Sequence, residues 1–310
     1  MAYTIAMSGT TELDNSIIQA YDQSFIIARE QEAVLDQFVQ YKREIGAKSM
    51  TLTKYAQLSL ATTPLTENAD VSSEAMSDSQ IVVVPAEYGN VITTTKLANL
   101  QSGGKADLAA AQLVGMNMGR TQDKLGLLSL EATTNVLYVN GRADDTGIVA
   151  GDVMDSTTLN LAYNKLARKS IQPVQGGYYV AVLHDDVIHD IRAGAAAGDW
   201  TDVAKYNNAM DVYANEVGIY RGFRIIRDNH ASYADQSGSG LVDVYKSSFF
   251  GDNAFGKVES AMPSIVFTSH QDKLARFINI GWYGVFNYSI IDVDACWQVR
   301  SSSSVGTNAA

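Results

Sequence analysis

With 310 residues, 46% of them hydrophobic and 18% charged, the chain can fill one large domain or two closely joined ones, and its composition excludes disorder. A formal net charge of −11 with no block of Lys or Arg argues against a protein that grips nucleic acid through phosphate contacts. The single cysteine, Cys296, excludes an intrachain disulfide and a Cys-based zinc site, and it reads as a small buried hydrophobe rather than a nucleophile.

The first residues lack the basic start and apolar core of a signal peptide, and no window reaches the apolar length that spans a bilayer. Synthesis and folding in a reducing cytoplasm is the expectation. Residues 13–44 carry a helical pattern, with Asp14, Asn15 or Ser16 as cap and Ile17, Ala20, Tyr21, Ser24, Ile27 and Ala28 near helical spacing. Val34, Leu35, Phe38 and Tyr41 continue the stripe, and Gly46 stops it.

A hairpin follows. Its outgoing arm, Lys48 to Leu60, alternates, with Met50, Leu52, Ala56, Leu58 and Leu60 on one face and Ser49, Thr51, Thr53, Gln57 and Ser59 on the other. Gln80 to Leu97, rich in Val, Ile and Thr, forms the return arm, and Thr62–Ser79 is a polar, acidic tip with no apolar cluster of its own. Isolated two-stranded hairpins are marginal in water. The apolar face of this one therefore needs another surface, plausibly a second copy of the chain.

Gly103-Gly104 breaks the chain before a helix of about Lys105 to Thr133, roughly 43 Å long at 1.5 Å per residue. Leu108, Ala111, Val114, Met118, Leu125 and Leu128 supply its apolar face, and Gly115 with Gly119 would admit a close neighbour. Arg120, Asp123 and Lys124 interrupt the run and exclude a membrane span. Beyond it the pattern predicts a strand at Val136–Val139, turns over Asn140–Asp155, helices at Leu159–Lys169 and Asp185–Ala196, and strands at Tyr178–Leu183, Gly222–Arg227, Leu241–Tyr245 and Ser264–Thr268. Trp282–Val299 alternates, and Ser301–Ser304 opens a flexible tail. The fold class is α+β, with the final strand pairing back near the long helix and residues 157–260 inserted between.

Chemistry declares itself nowhere. The densest polar cluster is His184-Asp185-Asp186-Val187-Ile188-His189-Asp190, where Asp185 and His189 at i, i+4 have a spacing that can present two metal ligands. Acidic residues directly after a strand also cap a helix, and no third ligand lies nearby in sequence. Gly238-Ser239-Gly240 and Gly103-Gly104-Lys105 are too short for phosphate loops and read as turns. No Gly-x-Ser-x-Gly elbow occurs. The late aromatics Phe249, Phe250, Phe255, Phe277, Trp282, Tyr283, Phe286 and Tyr288 have few cations among them and read as core or subunit contacts rather than base-stacking platforms. The Asn287-Tyr288-Ser289 triplet fits a glycosylation pattern that has no meaning without secretion.

The order of elements, together with Val84-Pro85-Ala86-Glu87-Tyr88-Gly89-Asn90, Tyr179 to Val187, Gly218 to Ile226 and Gly281-Trp282-Tyr283-Gly284, resembles a tailed-bacteriophage major capsid protein. The resemblance implies an N-arm at 1–45, an extended β-hairpin loop at 46–103, a peripheral domain with the spine helix at 104–156 and 261–300, an axial domain at 157–260 and a flexible tail at 301–310. It implies a structural protein, not an enzyme, with no cofactor or metal. Pentamers and hexamers of the chain would close an icosahedral shell around phage double-stranded DNA, held without sequence-specific binding and without a membrane. Scaffold, portal and decoration proteins would be its partners, the host cytoplasm its place of synthesis and the virion its destination. An acidic shell need not hold its DNA tightly. Some relatives of this fold join subunits through a lysine and an asparagine; Lys54 lies on the outgoing arm, but no partner is identifiable and that chemistry is not carried over. Two alternatives stay open at this point: an encapsulin-type compartment shell, and a metal-dependent hydrolase built on Asp185 and His189.

Overall fold

The computed structural model describes residues 34–56, 58–103, 105–174, 177–195, 200–202, 213, 215–269, 274 and 276–305. In chain order the strands and helices are β1 (Gln40–Arg43), β2 (Met50–Tyr55), β3 (Asp78–Val83), β4 (Ala86–Thr95), α1 (Lys96–Gln101), α2 (Lys105–Glu131), β5 (Val136–Tyr138), α3 (Ser156–Arg168), β6 (Tyr179–Leu183), α4 (Asp185–Gly194), β7 (Thr201–Asp202), β8 (Glu216–Tyr220), β9 (Phe223–Arg227), β10 (Tyr233–Ala234), β11 (Val244–Phe250), β12 (Phe255–Ser269), β13 (Phe277–Ile290) and β14 (Cys296–Ser301).

Two sheets carry the body. The first has the order β1-β12-β13-β4 and is built on the long antiparallel ribbon of β12 and β13. The second runs β5-β14-β11-β6-β9-β8-β7, with β10 beside β11. Its centre is apolar on both faces: all five residues of β6 are buried, as befits a strand covered on two sides. Asp155 caps α3 by accepting from Thr158 N at 2.8 Å, and α3 packs Leu159, Ala162 and Leu166 into the core that β6, β9 and β11 share.

Helix α2 is the spine, 27 residues and about 40 Å long. Its Ala110, Ala111, Val114, Met118, Leu127 and Leu130 are buried, and they meet Ile280, Trp282 and Phe286 of β13 in the core. Leu108 and Leu128, expected on that face, are instead 40% and 48% exposed. The buried stripe drifts round the helix along its length, because 3.6 residues per turn do not match a fixed spacing over many turns. Gly115 and Gly119 are buried, and Gly126 makes a further close approach, where an added Cβ would lie 3.0 Å from Leu35 Cδ1.

Several expectations need correction. The helix predicted over 13–44 lies outside the described residues up to 33, and beyond them it is absent. Leu35–Phe38 make one 3₁₀ turn, and Gln40–Arg43 become β1, parallel to Gly256–Glu259 of β12. Long-range pairing wins over a helical spacing that has only a few residues left to run. The hairpin's return arm is two strands, not one. β3 pairs with β2 from Met50↔Val83 to Tyr55↔Asp78, and β4 then crosses to β13. The break falls at Val84-Pro85, where proline removes a ladder donor and restrains the residue before it.

Farther on, the strand expected at Leu241–Tyr245 begins at Val244, and that expected at Ser264–Thr268 is the end of a fifteen-residue strand. The alternating run Trp282–Val299 splits into β13 and β14 around the Val293–Ala295 turn, and β14 joins β5 and β11 rather than the spine's sheet. The tail also starts later than Ser301. Ser301, Ser302 and Ser303 are buried, and Ser304 N donates to Asp190 Oδ2 at 3.0 Å while its hydroxyl bonds Asp190 Oδ1.

Candidate assembly surface

The hairpin has a fixed base and a free tip. At the base Met50, Leu52 and Val83 are buried against Val258 and Ile291, so the apolar face expected to be unpaired is covered by the chain itself over this stretch. Gly256 makes room there: a Cβ would meet Ile291 Cδ1 at 2.9 Å, Leu52 Cδ1 at 3.0 Å and Gln40 O at 3.1 Å. Lys54 Nζ lies 2.6 Å from Asp292 Oδ2, and Lys42 Nζ donates to Thr51 O at 2.6 Å. Lys54 is thus engaged within its own subunit.

The tip leaves the body. All described residues from Leu58 to Gln80 are exposed. The neck is held by Ala56 N donating to Ser77 O at 3.0 Å and by Ser59, whose N–H and hydroxyl both reach the Glu74 carboxylate. Past the neck Leu60 is 87% and Leu65 78% exposed, and Leu58, Val71 and Met76 are open too. Exposed apolar surface therefore runs from the end of the outgoing arm, at Leu58 and Leu60, into the segment read as polar, at Leu65, Val71 and Met76.

Beside the base, the N-terminal segment is stapled to the first sheet. Asp36 accepts from Lys257 Nζ at 2.8 Å and from the Tyr288 hydroxyl at 2.6 Å, and the Tyr41 hydroxyl donates to Glu259 at 2.6 Å. Lys257 is buried, its ammonium 5.4 Å from the centroids of both the Phe286 and Tyr288 rings. The segment from Val34 to Arg43 and the base of the hairpin are thus anchored side by side on the first sheet.

The polar cluster of 184–190 serves structure. His184 caps α4 with Nδ1 accepting from Asp186 N at 3.2 Å, and Asp186 accepts from the Tyr245 hydroxyl at 2.7 Å; burial and that carboxylate push the Tyr245 phenol above its ordinary range. Asp185 faces Arg227 at 3.7 Å, whereas His189 is exposed and lies 3.6 Å from Asp190, which holds Ser304. The two residues read as possible metal ligands thus face different partners, and no metal-binding group of three or more His, Cys, Asp or Glu is gathered among the described residues.

The glycine turns are likewise occupied: Gly238 N donates to Val242 O at 2.8 Å and Ser239 N to Ile148 O at 2.7 Å. Gly103, with φ +65°, ends α1, and Asn287 donates to Val84 O at 2.9 Å. Phe249, Phe250, Phe255, Trp282, Phe286 and Tyr288 are core; Tyr283 is partly open. No helix among the described residues is long and apolar enough to cross a membrane.

Cys296 is fully buried, and desolvation pushes its thiol up to about 12. At pH 8 a maleimide is expected to leave the native chain unlabelled and to react fully once urea opens the core; mass spectrometry that finds labelled native protein would contradict this burial.

No family model and no curated protein matches the sequence. Solved structures do match. The capsid of Ralstonia phage GP4 superposes with a TM-score of 0.75 at 11% identity, over 88% of this chain and 92% of that one. The fold is that of phage capsid proteins. The capsid of Helicobacter pylori bacteriophage KHP30 gives 0.65 at 13% identity, covering 97% of this chain and 100% of the other. A virus-like particle from Pyrococcus furiosus is more distant, at 0.53 and 12% identity over 91% and 98% of the two chains. The α+β architecture read from the order of elements is therefore the one that these capsid proteins share.

Proposed function

We propose that this chain is the major capsid protein of a tailed bacteriophage, a structural subunit that assembles into hexamers and pentamers and closes an icosahedral shell around double-stranded DNA. The observation that carries the reading is the hairpin: its base is packed and ion-paired to the body, while its tip is exposed at every described residue from Leu58 to Gln80, open leucines included. An apolar arm held in a fixed direction is half of a contact between copies. The spine helix, β5 and β13 fall in the peripheral domain of 104–156 and 261–300, and β6 to β11 in the axial domain of 157–260, whose loops would meet at the capsomer centre. The acidic net charge of −11 fits a wall that surrounds nucleic acid without binding its sequence. Scaffold and portal proteins are the further partners of this reading, with synthesis in the host cytoplasm and the virion as destination.

The likeness of the fold to the GP4 and KHP30 capsids, at TM-scores of 0.75 and 0.65, supports the phage reading. Negative-stain microscopy of the expressed protein, alone and with co-expressed phage proteins, tests it. Rings or closed shells are the expected result. A monodisperse monomer at high concentration in both preparations would sink the proposal.

A further inference from the structure

The spine helix buries a carboxyl that assembly through the hairpin does not use. Asp123, 2% exposed, points one oxygen at the start of the N-terminal segment: Oδ1 accepts from Leu35 N at 2.8 Å and from Val34 N at 3.1 Å. Across a cavity of about 230 Å³ stands Asp228, 3% exposed, on the loop after β9; its Oδ1 accepts from His230 N at 2.7 Å. The remaining oxygens, Asp123 Oδ2 and Asp228 Oδ2, are both buried and receive no N–H or O–H. Both carboxyls line this one cavity, and Asp228 is a close enough neighbour to raise Asp123. Two acceptors cannot bond without a hydrogen between them, and two buried like charges in contact repel.

We propose that Asp123 and Asp228 share one proton, and that this proton fastens the base of the N-terminal arm to the spine helix and to the 228–232 loop. Burial first, then the neighbouring Asp228 charge, push the Asp123 carboxyl up to about 8. Among the described residues the charged groups round the pair are Arg120, which lines the same cavity, and Lys124 on α2, with Arg227 and His230 on β9 and its loop. They leave the carboxyl raised: Arg227 faces Asp185, and Lys124 donates to His230 O at 3.2 Å and bonds the Ser232 hydroxyl. From the neighbouring segments, Glu216 is paired with Arg224, and Asp36 of the N-terminal segment with Lys257. The seam between α2 and the loop thus has two stitches, the carboxyl pair and Lys124.

The sign follows from linkage. When the seam opens, Asp123 meets water, its affinity for the proton returns to that of an ordinary carboxyl, and the proton leaves. The clamp is therefore tightest in acid, weakens as pH rises from about 4, and has lost this contribution above about 8.

Hydrogen exchange of the full chain, read by mass spectrometry between pH 5.5 and 9.5 and corrected for intrinsic rates, tests this. Peptides covering Val34–Phe38 and the 228–232 loop are expected to lose protection by up to about tenfold per pH unit below 8 and then level off, while β11 stays flat. Asp123→Asn and Asp228→Asn should each abolish the slope, since a carboxamide donates to the remaining carboxylate and has no proton to lose. The second variant stands in if the first does not fold, and the wild-type profile decides if neither folds. A flat wild-type profile, or a slope that persists in the Asn variants, overturns the proposal. So does a loss of protection at pH 7.5 on adding EDTA, which would place a cation rather than a proton between the carboxyls. None of these outcomes depends on whether the chain forms shells.

Discussion

Excising residues 62–71 and rejoining the arms through a short Gly/Ser link is expected to leave the subunit folded and to abolish its assembly. Every described residue from Leu58 to Gln80 is exposed, so the excision removes no buried side chain and no strand of the body. Changes at such positions stay within about 0.5 kcal/mol of neutral, and a shorter loop costs slightly less to close. The β2–β3 ladder and the Ser59–Glu74 neck lie outside the cut. Circular dichroism and the urea midpoint should match wild type, while microscopy and sedimentation find only unassembled subunits. An unfolded variant would place the tip in the core after all, and shells at wild-type yield would leave Leu65 and Val71 without the role given them.

Lys257→Met should destabilise the subunit by about 3 kcal/mol, near the lower end of what breaking a buried ion pair costs. The methionine keeps an apolar stem beside Phe286 and Tyr288 but takes the ammonium away from Asp36. The lower end applies because the Asp36 side chain is 22% exposed and water can reach it, whereas the Lys257 side chain is 3% exposed. Pairing the substitution with Asp36→Leu should recover most of the loss, since an apolar pair of similar volume needs no counter-charge. Urea unfolding of the variants measures both steps. A loss below 1 kcal/mol in the single variant would mean that the staple is ornamental.

Elements whose stabilising partners lie close in sequence could be read directly. The spine helix, α3, α4 and β6 announce themselves through periodicity and a continuous apolar run, while the caps fall on Asp155 and, for α4, on His184 rather than on the expected Asp185 and Asp186. Elements defined by a distant strand could not. β1 is Gln-Tyr-Lys-Arg, exposed throughout, and only its ladder to Gly256–Glu259 makes it a strand. The hairpin's projection was legible from its polar tip, yet the cover of its base was not, because Val258 and Ile291 lie some two hundred residues away. Pro85 was a usable signal for the split return arm. Asp123 was visible only as a break in an apolar stripe; nothing local pairs it with Asp228.

The landing place of the hairpin base has a consequence for synthesis. Met50 and Leu52 rest on Val258 and Ile291, and β4 is bonded to β13, so neither contact exists until the last quarter of the chain has been made. At roughly 5–20 residues per second a ribosome needs on the order of ten to fifty seconds to travel from Leu52 to Ile291. During that interval the arm has no fixed direction. A truncated or nascent chain can therefore display the exposed tip but cannot aim it, so any contact that depends on the arm's direction has to wait for the last strands.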